Sequence, residues 1–138
     1  AGWTPYYQAP AFYRLWINST YIKKRFDVAN LLTSNGLNVN GNAFKIKAVD
    51  LLNGLSTPAT APQVIDDLCL VLFPKDIPAA DKLAIKSILT NGLPDFEWTL
   101  QYNEYLTDPT NPVFYNPVEL RMQAVLNVMF KMPQFHVC

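Results

Sequence analysis

The stretch Asn116-Pro117-Val118-Glu119-Leu120-Arg121-Met122-Gln123-Ala124-Val125-Leu126-Asn127-Val128-Met129-Phe130-Lys131 decides the fold of this 138-residue chain. It opens with an asparagine cap, a proline at the first helical position and an acid near the positive end of the helix dipole, which together predict a helix start. The rest is mostly apolar, and polar residues recur every fourth position on one narrow stripe: Glu119, Gln123, Asn127 and Lys131. So thin a wet face predicts a helix at the centre of the core.

Helix caps and stops delimit four further helices upstream. The first helix is capped by Asn18 or Ser19 and reaches about Ser34, and the second begins at the capping box Thr60-Ala61-Pro62-Gln63 and ends at Pro74. The third begins at Asp76 to Pro78 and ends at Asn91-Gly92. The fourth is capped by Asp95 and covers roughly Phe96 to Leu106. In the first, apolar residues fall into two sets at helical spacing: Ile22, Phe26 and Ala29, and Tyr21, Val28 and Leu32.

The remaining segments predict little regular structure. They are an irregular segment over residues 1–17, a short strand without a predicted partner over residues 43–49, one or two helical turns over residues 50–55, and a loop over residues 107–115. The sequence therefore predicts one all-α domain over residues 1–138. It has four to five helices packed as in a bundle, an irregular aromatic-rich N-terminal segment and one short extended stretch.

The composition restricts the classes of partner. Eleven basic and eleven acidic residues cancel, so no overall field favours nucleic acid. The longest apolar run, residues 68–73, is too short to span a membrane. Only 16% of the residues are charged, against about 25% in typical soluble domains. This shortage favours a surface that contacts other protein.

The first twenty-one residues hold seven of the eighteen aromatic side chains. Flat, amphipathic rings suit a half-wet binding surface. The candidate ligand or inter-domain surface therefore consists of Trp3, Tyr6, Tyr7 and Trp16. Two interpretations stay open: the rings stack on carbohydrate, or they pack over the helices or against a missing N-terminal region.

Two charged motifs have a functional and a structural interpretation. Glu97 and Glu104 share a helix face at roughly the separation of an inverting glycosidase pair, but their position opposite the aromatic stripe favours a solvated face. The basic run Lys23-Lys24-Arg25 is placed to receive an acidic partner, for which Asp66 and Asp67 within the fold are the candidates.

No other motif predicts chemistry. Asn18-Ser19-Thr20 fits a glycosylation site, but helix capping explains it better. His136, the single histidine, has no nucleophile or carboxylate near it in sequence and reads as a surface or packing residue. Cys69 reads as a buried hydrophobe, with a bond to Cys138 as the alternative. We therefore predict no catalytic, cofactor-binding or metal-binding residues and no cofactor.

Several segments resemble one large bacterial family. Gly2-Trp3 and Trp16-Ile17-Asn18, followed by a helix, resemble the Gly-Trp-Pro and Trp-Ile-Asn segments of the family named only as domain of unknown function 1800. Residues 94–99, Pro-Asp-Phe-Glu-Trp-Thr, are similar to a pattern of its Bacteroidetes branch, and residues 132–135 to a common family ending. The resemblance implies the C-terminal part of a longer, exported protein in an extracytoplasmic setting. The family has no established activity, so the resemblance implies no catalytic residues.

Three functional hypotheses follow. The first is a structural or interaction region of a larger exported protein, whose partner is the missing N-terminal region. Leu70 supports it, because this apolar residue falls on the polar side of its helix. The second is a carbohydrate-binding module that uses the opening aromatics. The third is the accessory part of an enzyme whose active site lies in the missing region, so enzymatic activity stays open.

Overall fold

The structure is a computed structural model that describes residues 18–136. In chain order its elements are α1 (Ser19–Thr33), β1 (Leu37–Val39), β2 (Asn42–Phe44), a 3₁₀ helix (Ala48–Gly54), α2 (Ala61–Leu72), α3 (Ala79–Thr90), α4 (Asp95–Thr107), α5 (Pro112–Lys131) and α6 (Pro133–His136). Helices make up most of the described chain, and one two-stranded hairpin is its only sheet. The predicted all-α class is confirmed.

Helix α5 is the centre of the fold. It contacts α1, α3, α4, α6 and the 3₁₀ helix, while α2 packs on α3 and α4. Five of its apolar side chains have no solvent contact: Val118, Met122, Val125, Leu126 and Met129. The central position predicted from its sequence is therefore confirmed.

Glu119 is buried and the rest of the polar stripe of α5 is half-buried, so the stripe is not the freely solvated face that the sequence predicts. Glu119 is only 6% exposed, and its carboxylate accepts hydrogen bonds from the backbone N–H groups of Ala48 and Val49. Asn127 Nδ2 and Lys131 Nζ both donate to the Asn30 side-chain oxygen, at 2.9 and 2.6 Å. The stripe thus attaches the 3₁₀ helix and α1 to α5, because buried polar groups need partners.

Helix α5 begins one turn before the predicted cap. Asn111 Oδ1 accepts from the Val113 N–H at 3.0 Å, and Pro112 occupies the first turn. Residues 112–115 are therefore helical and not part of a loop. Asn111-Pro112 carries the same cap-and-proline signal as Asn116-Pro117, and Pro117 is accommodated inside the helix. The earlier start adds Phe114 and Tyr115 to α5.

The segment after α1 is a hairpin, so the strand predicted without a partner has one. Of the predicted residues 43–49 only Ala43 and Phe44 belong to it, and the 3₁₀ helix already begins at Ala48. β1 and β2 pair antiparallel, with Leu37 opposite Phe44. The turn residues Asn40 and Gly41 both have positive φ, 52° and 84°, as a type I′ turn requires. Asn-Gly is the strongest short hairpin signal, and it marks the pairing that alternation over residues 43–49 alone did not.

Helix α4 is held against the connector before α2 by its aromatic side. Trp98 is fully buried and donates from Nε1 to the Pro58 carbonyl at 2.8 Å. Thr99 Oγ1 donates to the Ala59 carbonyl at the same distance. The predicted capping box of α2 does not form, since Thr60 makes no side-chain cap and Gln63 donates to Asp67 instead.

Candidate interaction surface

An apolar groove of about 490 Å³ lies between α1 and the end of the chain at α5 and α6. Helix α1 contributes Tyr21, Val28 and Leu32 to it. Phe130 of α5 and Phe135 of α6 line the opposite side. This volume falls within the range of about 300–1,000 Å³ that ligand pockets occupy.

The groove lies beside α1 because this helix is only shallowly buried. Of its fifteen residues only Ala29 and Thr33 are buried. Asn127 Nδ2 donates to Thr33 Oγ1 at 2.8 Å, next to its bond to Asn30. The second apolar set of α1 is thereby left beside the groove, where Val28 remains 42% exposed. An amphipathic helix is stabilised by burying such a face, so this one is only partly covered.

The C-terminal side of the groove is built from aromatic rings. Met132 leaves α5 in an extended conformation and Pro133 opens the short α6. This turn brings the rings of Phe130 and Phe135 to a centroid distance of 5.0 Å. His136 then lies against Phe135, 5.6 Å between centroids, and its role as a packing residue is confirmed.

The rim of the groove is basic. Lys24 and Arg25 line it, and Arg25 Nη1 lies 3.5 Å from His136 Nδ1. Burial and the positive charge of Arg25 lower the pKa of His136. The neutral imidazole is therefore the favoured form beside this guanidinium.

The predicted pairing of the basic run with two aspartates is wrong. Asp66 pairs with Lys82 at 2.9 Å, and Asp67 accepts from the Ser56 N–H and hydroxyl at 2.8 and 2.7 Å. These hydrogen bonds lower the pKa of Asp67. Among residues 18–136, no carboxylate lies within ion-pair distance of residues 23–25. The groove thus combines an apolar floor with cations that the described fold does not neutralise.

The other sequence candidates do not form a site in the described chain. The predicted surface of Trp3, Tyr6, Tyr7 and Trp16 lies outside the described residues. Glu104 is exposed on α4, as the predicted solvated face requires, but Glu97 is half-buried. Asn18 Oδ1 accepts from the Tyr21 N–H at 3.0 Å, so its capping role is confirmed.

A second depression lies between α3, α4 and α5. Ser87, Asn91, Gln101 and Arg121 give it a polar lining. Arg121 reaches the Leu89 carbonyl at 3.5 Å, and burial lowers its pKa. Gln101 Oε1 is buried and has no hydrogen-bond partner among the described residues. The polar groups interrupt its lining, so this depression is less apolar than the groove between α1 and α6.

Neither a metal-binding cluster nor a membrane-spanning helix occurs between residues 18 and 136. This part of the chain holds no cluster of His, Cys, Asp or Glu that could bind a metal ion. None of its helices combines the length and the apolar character that crossing a bilayer demands. Cys69 is a free, buried thiol, and burial raises its pKa to about 11.

Comparison of the chain with family models, with curated proteins and with solved structures finds no match in any of the three. The groove is therefore interpreted from its own chemistry. One signal in the sequence did indicate it: the second apolar set of α1, which one helix–helix interface does not need. Phe130 and Phe135 gave no such signal, because their approach depends on the turn at Pro133.

Proposed function

We propose that this chain is a structural or interaction region of a larger, exported bacterial protein related to the domain of unknown function 1800, and that the groove between α1 and α6 docks polypeptide. The observation that carries this is the groove itself: an apolar floor between helices, with a basic rim. Small-molecule sites usually add a few converging polar groups that fix the ligand's orientation. Here the polar groups stand only at the rim, which suits apolar side chains of a peptide segment.

The extracytoplasmic setting rests on the family resemblance alone. The carbohydrate-binding alternative rests on Trp3, Tyr6, Tyr7 and Trp16, and the accessory-enzyme alternative on a preceding region of the protein. Neither uses the groove. Polypeptide docking is therefore the function that the described geometry supports best.

Photo-crosslinking tests this proposal. A benzophenone amino acid replaces Val28 in the groove, and in a matched variant it replaces Val71, which is 74% exposed on α2. We expect position 28 to crosslink to peptide, from this protein or another, and position 71 to give far less product. Mass spectrometry of the crosslinked peptides is the measurement.

The opposite result removes the proposal. If position 28 gives no peptide adduct, or no more than position 71, the groove does not dock polypeptide. A parallel pull-down with insoluble polysaccharides tests the alternative. Retention that is lost in Trp3→Ala and Trp16→Ala favours a carbohydrate-binding module.

A further inference from the structure

The groove has a suitable occupant in the chain itself, immediately before α1. We propose that the aromatic opening run, residues 1–17, fills the groove between α1 and α6. This inference rests on the proposed docking function and names the polypeptide that docks. Three properties support it: the reach of the segment, its side chains and the chemistry of the rim.

The segment ends beside the groove. Asn18 has φ −126° and ψ 165°, so the chain enters α1 in an extended conformation. Tyr21, the first groove residue, lies one turn into the helix, and Leu32 is the last on this helix. At ~1.5 Å of rise per residue these two are about 17 Å apart. An extended chain covers ~3.3 Å per residue, so about five residues span the groove and seventeen are ample.

The side chains of the segment match an apolar floor. Six of its seventeen residues are aromatic and only Arg14 carries a charged side chain. Each such ring buries about 150–250 Å² when it packs. Pro5 and Pro10 disfavour a helix in which the rings shield one another. A segment of this kind is stabilised by a preformed apolar surface, and the groove provides one.

The two cations at the rim, Lys24 and Arg25, are available to contact the faces of aromatic rings. Lys24 and Arg25 have no carboxylate partner among the described residues, and the opening run offers them none. A cation within ~6 Å of an aromatic ring centroid is attracted to the face of the ring. Rings seated on the floor would present faces and edges to these two cations. The basic rim therefore suits this occupant although it carries no acid.

A stability cycle on the full chain tests the inference. Val28→Ser removes a methyl-bearing side chain from the groove, and Val71→Ser makes the same change at an exposed site of α2. If the groove is filled, Val28→Ser raises the equilibrium constant for unfolding about threefold to tenfold more than Val71→Ser does, because it loses buried apolar area. The cycle is repeated in a background with four rings replaced by alanine: Trp3, Tyr6, Tyr7 and Trp16.

Each result decides something. Disappearance of the difference in the ring-replaced background supports the inference. A difference that persists there overturns it and leaves polypeptide docking intact, with another occupant. A difference that vanishes on dilution also overturns it, since the occupant is then a second copy of the chain. Equal losses for Val28→Ser and Val71→Ser in both backgrounds mean that the groove is uncovered in the isolated chain. That result overturns the inference, while docking of another protein is decided by the crosslinking at position 28.

Dye binding gives a second readout that needs no unfolding transition. Anilinonaphthalene sulfonate fluoresces on exposed apolar surface. We expect the unmodified chain to bind it weakly and the ring-replaced chain at least several-fold more. Adding Val28→Arg should abolish that gain, while adding Val71→Arg should not. Equal dye binding by the unmodified and ring-replaced chains overturns the inference.

Discussion

Replacing Glu119 tests how the fold is held together, because this carboxylate attaches the 3₁₀ helix to α5. Its two oxygens accept from the N–H groups of Ala48 and Val49 at 3.2 and 2.8 Å. Gln123 Nε2 donates to it at 2.6 Å. Ala48 and Val49 are almost completely buried, so water cannot replace the lost acceptor.

The magnitude follows from those donors. A buried N–H left without an acceptor costs about 1–3 kcal/mol. Glu119→Ala leaves two of them and also removes packing volume, so we expect a loss of about 4 kcal/mol in the free energy of unfolding. Glu119→Gln keeps one acceptor oxygen and turns an amide N–H₂ towards the other donor. It should cost about 2 kcal/mol, near the value of one charge-assisted hydrogen bond.

Urea unfolding followed by circular dichroism measures both losses. Glu104→Ala and Glu104→Gln are the matched controls, since Glu104 is exposed on α4 and surface substitutions stay within about 0.5 kcal/mol. Hydrogen exchange adds a local readout: Glu119→Gln should deprotect the amides of residues 48 and 49 more than those of α4. A cost for Glu119→Ala no larger than for Glu104→Ala would refute the reasoning.

Three further predictions concern single groups. The first uses the Cys138→Ser variant, in which Cys69 is the only thiol. Because Cys69 is buried and its pKa is about 11, it should react with iodoacetamide far more slowly in the native chain than in the urea-unfolded chain. Equal rates contradict this prediction. Because the folded pKa of His136 lies below its ordinary 6.5, the unfolded chain takes up the proton first. Stability should therefore hold above pH 6.5 and fall as the pH drops through the folded pKa, less so in His136→Gln; parallel urea midpoints for the two chains refute it. Trp98→Phe loses the hydrogen bond to Pro58 and should cost about 1.5–3 kcal/mol in urea unfolding; a cost below about 0.5 kcal/mol contradicts that burial.

Caps and glycine stops predicted many helix boundaries, because a cap or a stop depends only on residues within about one turn of it. Asn18, Gly36 and Asn91-Gly92 delimit helices in the structure as their chemistry requires. The wrong start of α5 arose where two local signals competed. Asn111-Pro112 and Asn116-Pro117 both fit a helix start, and nothing within either pair says which one begins α5. In the folded chain the added turn carries Tyr115, which packs against the core with its ring 6.3 Å from that of Tyr105.

Side-chain partners were much less predictable than elements. A repeat of four places Glu119 and Asn127 on one face, but the sequence does not say whether that face meets water or a neighbour. Lys23-Lys24-Arg25 and Asp66-Asp67 have opposite charges, yet Asp66 pairs with Lys82, which the turn between α2 and α3 brings to it. Which side chains pair over long distances in sequence depends on the topology of the fold, and the pattern of residues along the chain says little about it.

The interfaces among α2 to α5 and the interface of α1 with α5 differ in how much apolar surface the described residues bury. Helices α2 to α5 share a continuous apolar core in which Trp98, Met122 and Leu126 are completely buried. Helix α1 buries only two residues, and its hydrogen bonds to α5 contribute only about 0.5–1.5 kcal/mol each. Apolar cover on its groove side is therefore the main stabilisation still open to α1. Any segment that fills the groove also fixes α1 to α5 and α6, so docking and the order of the first helix are one equilibrium.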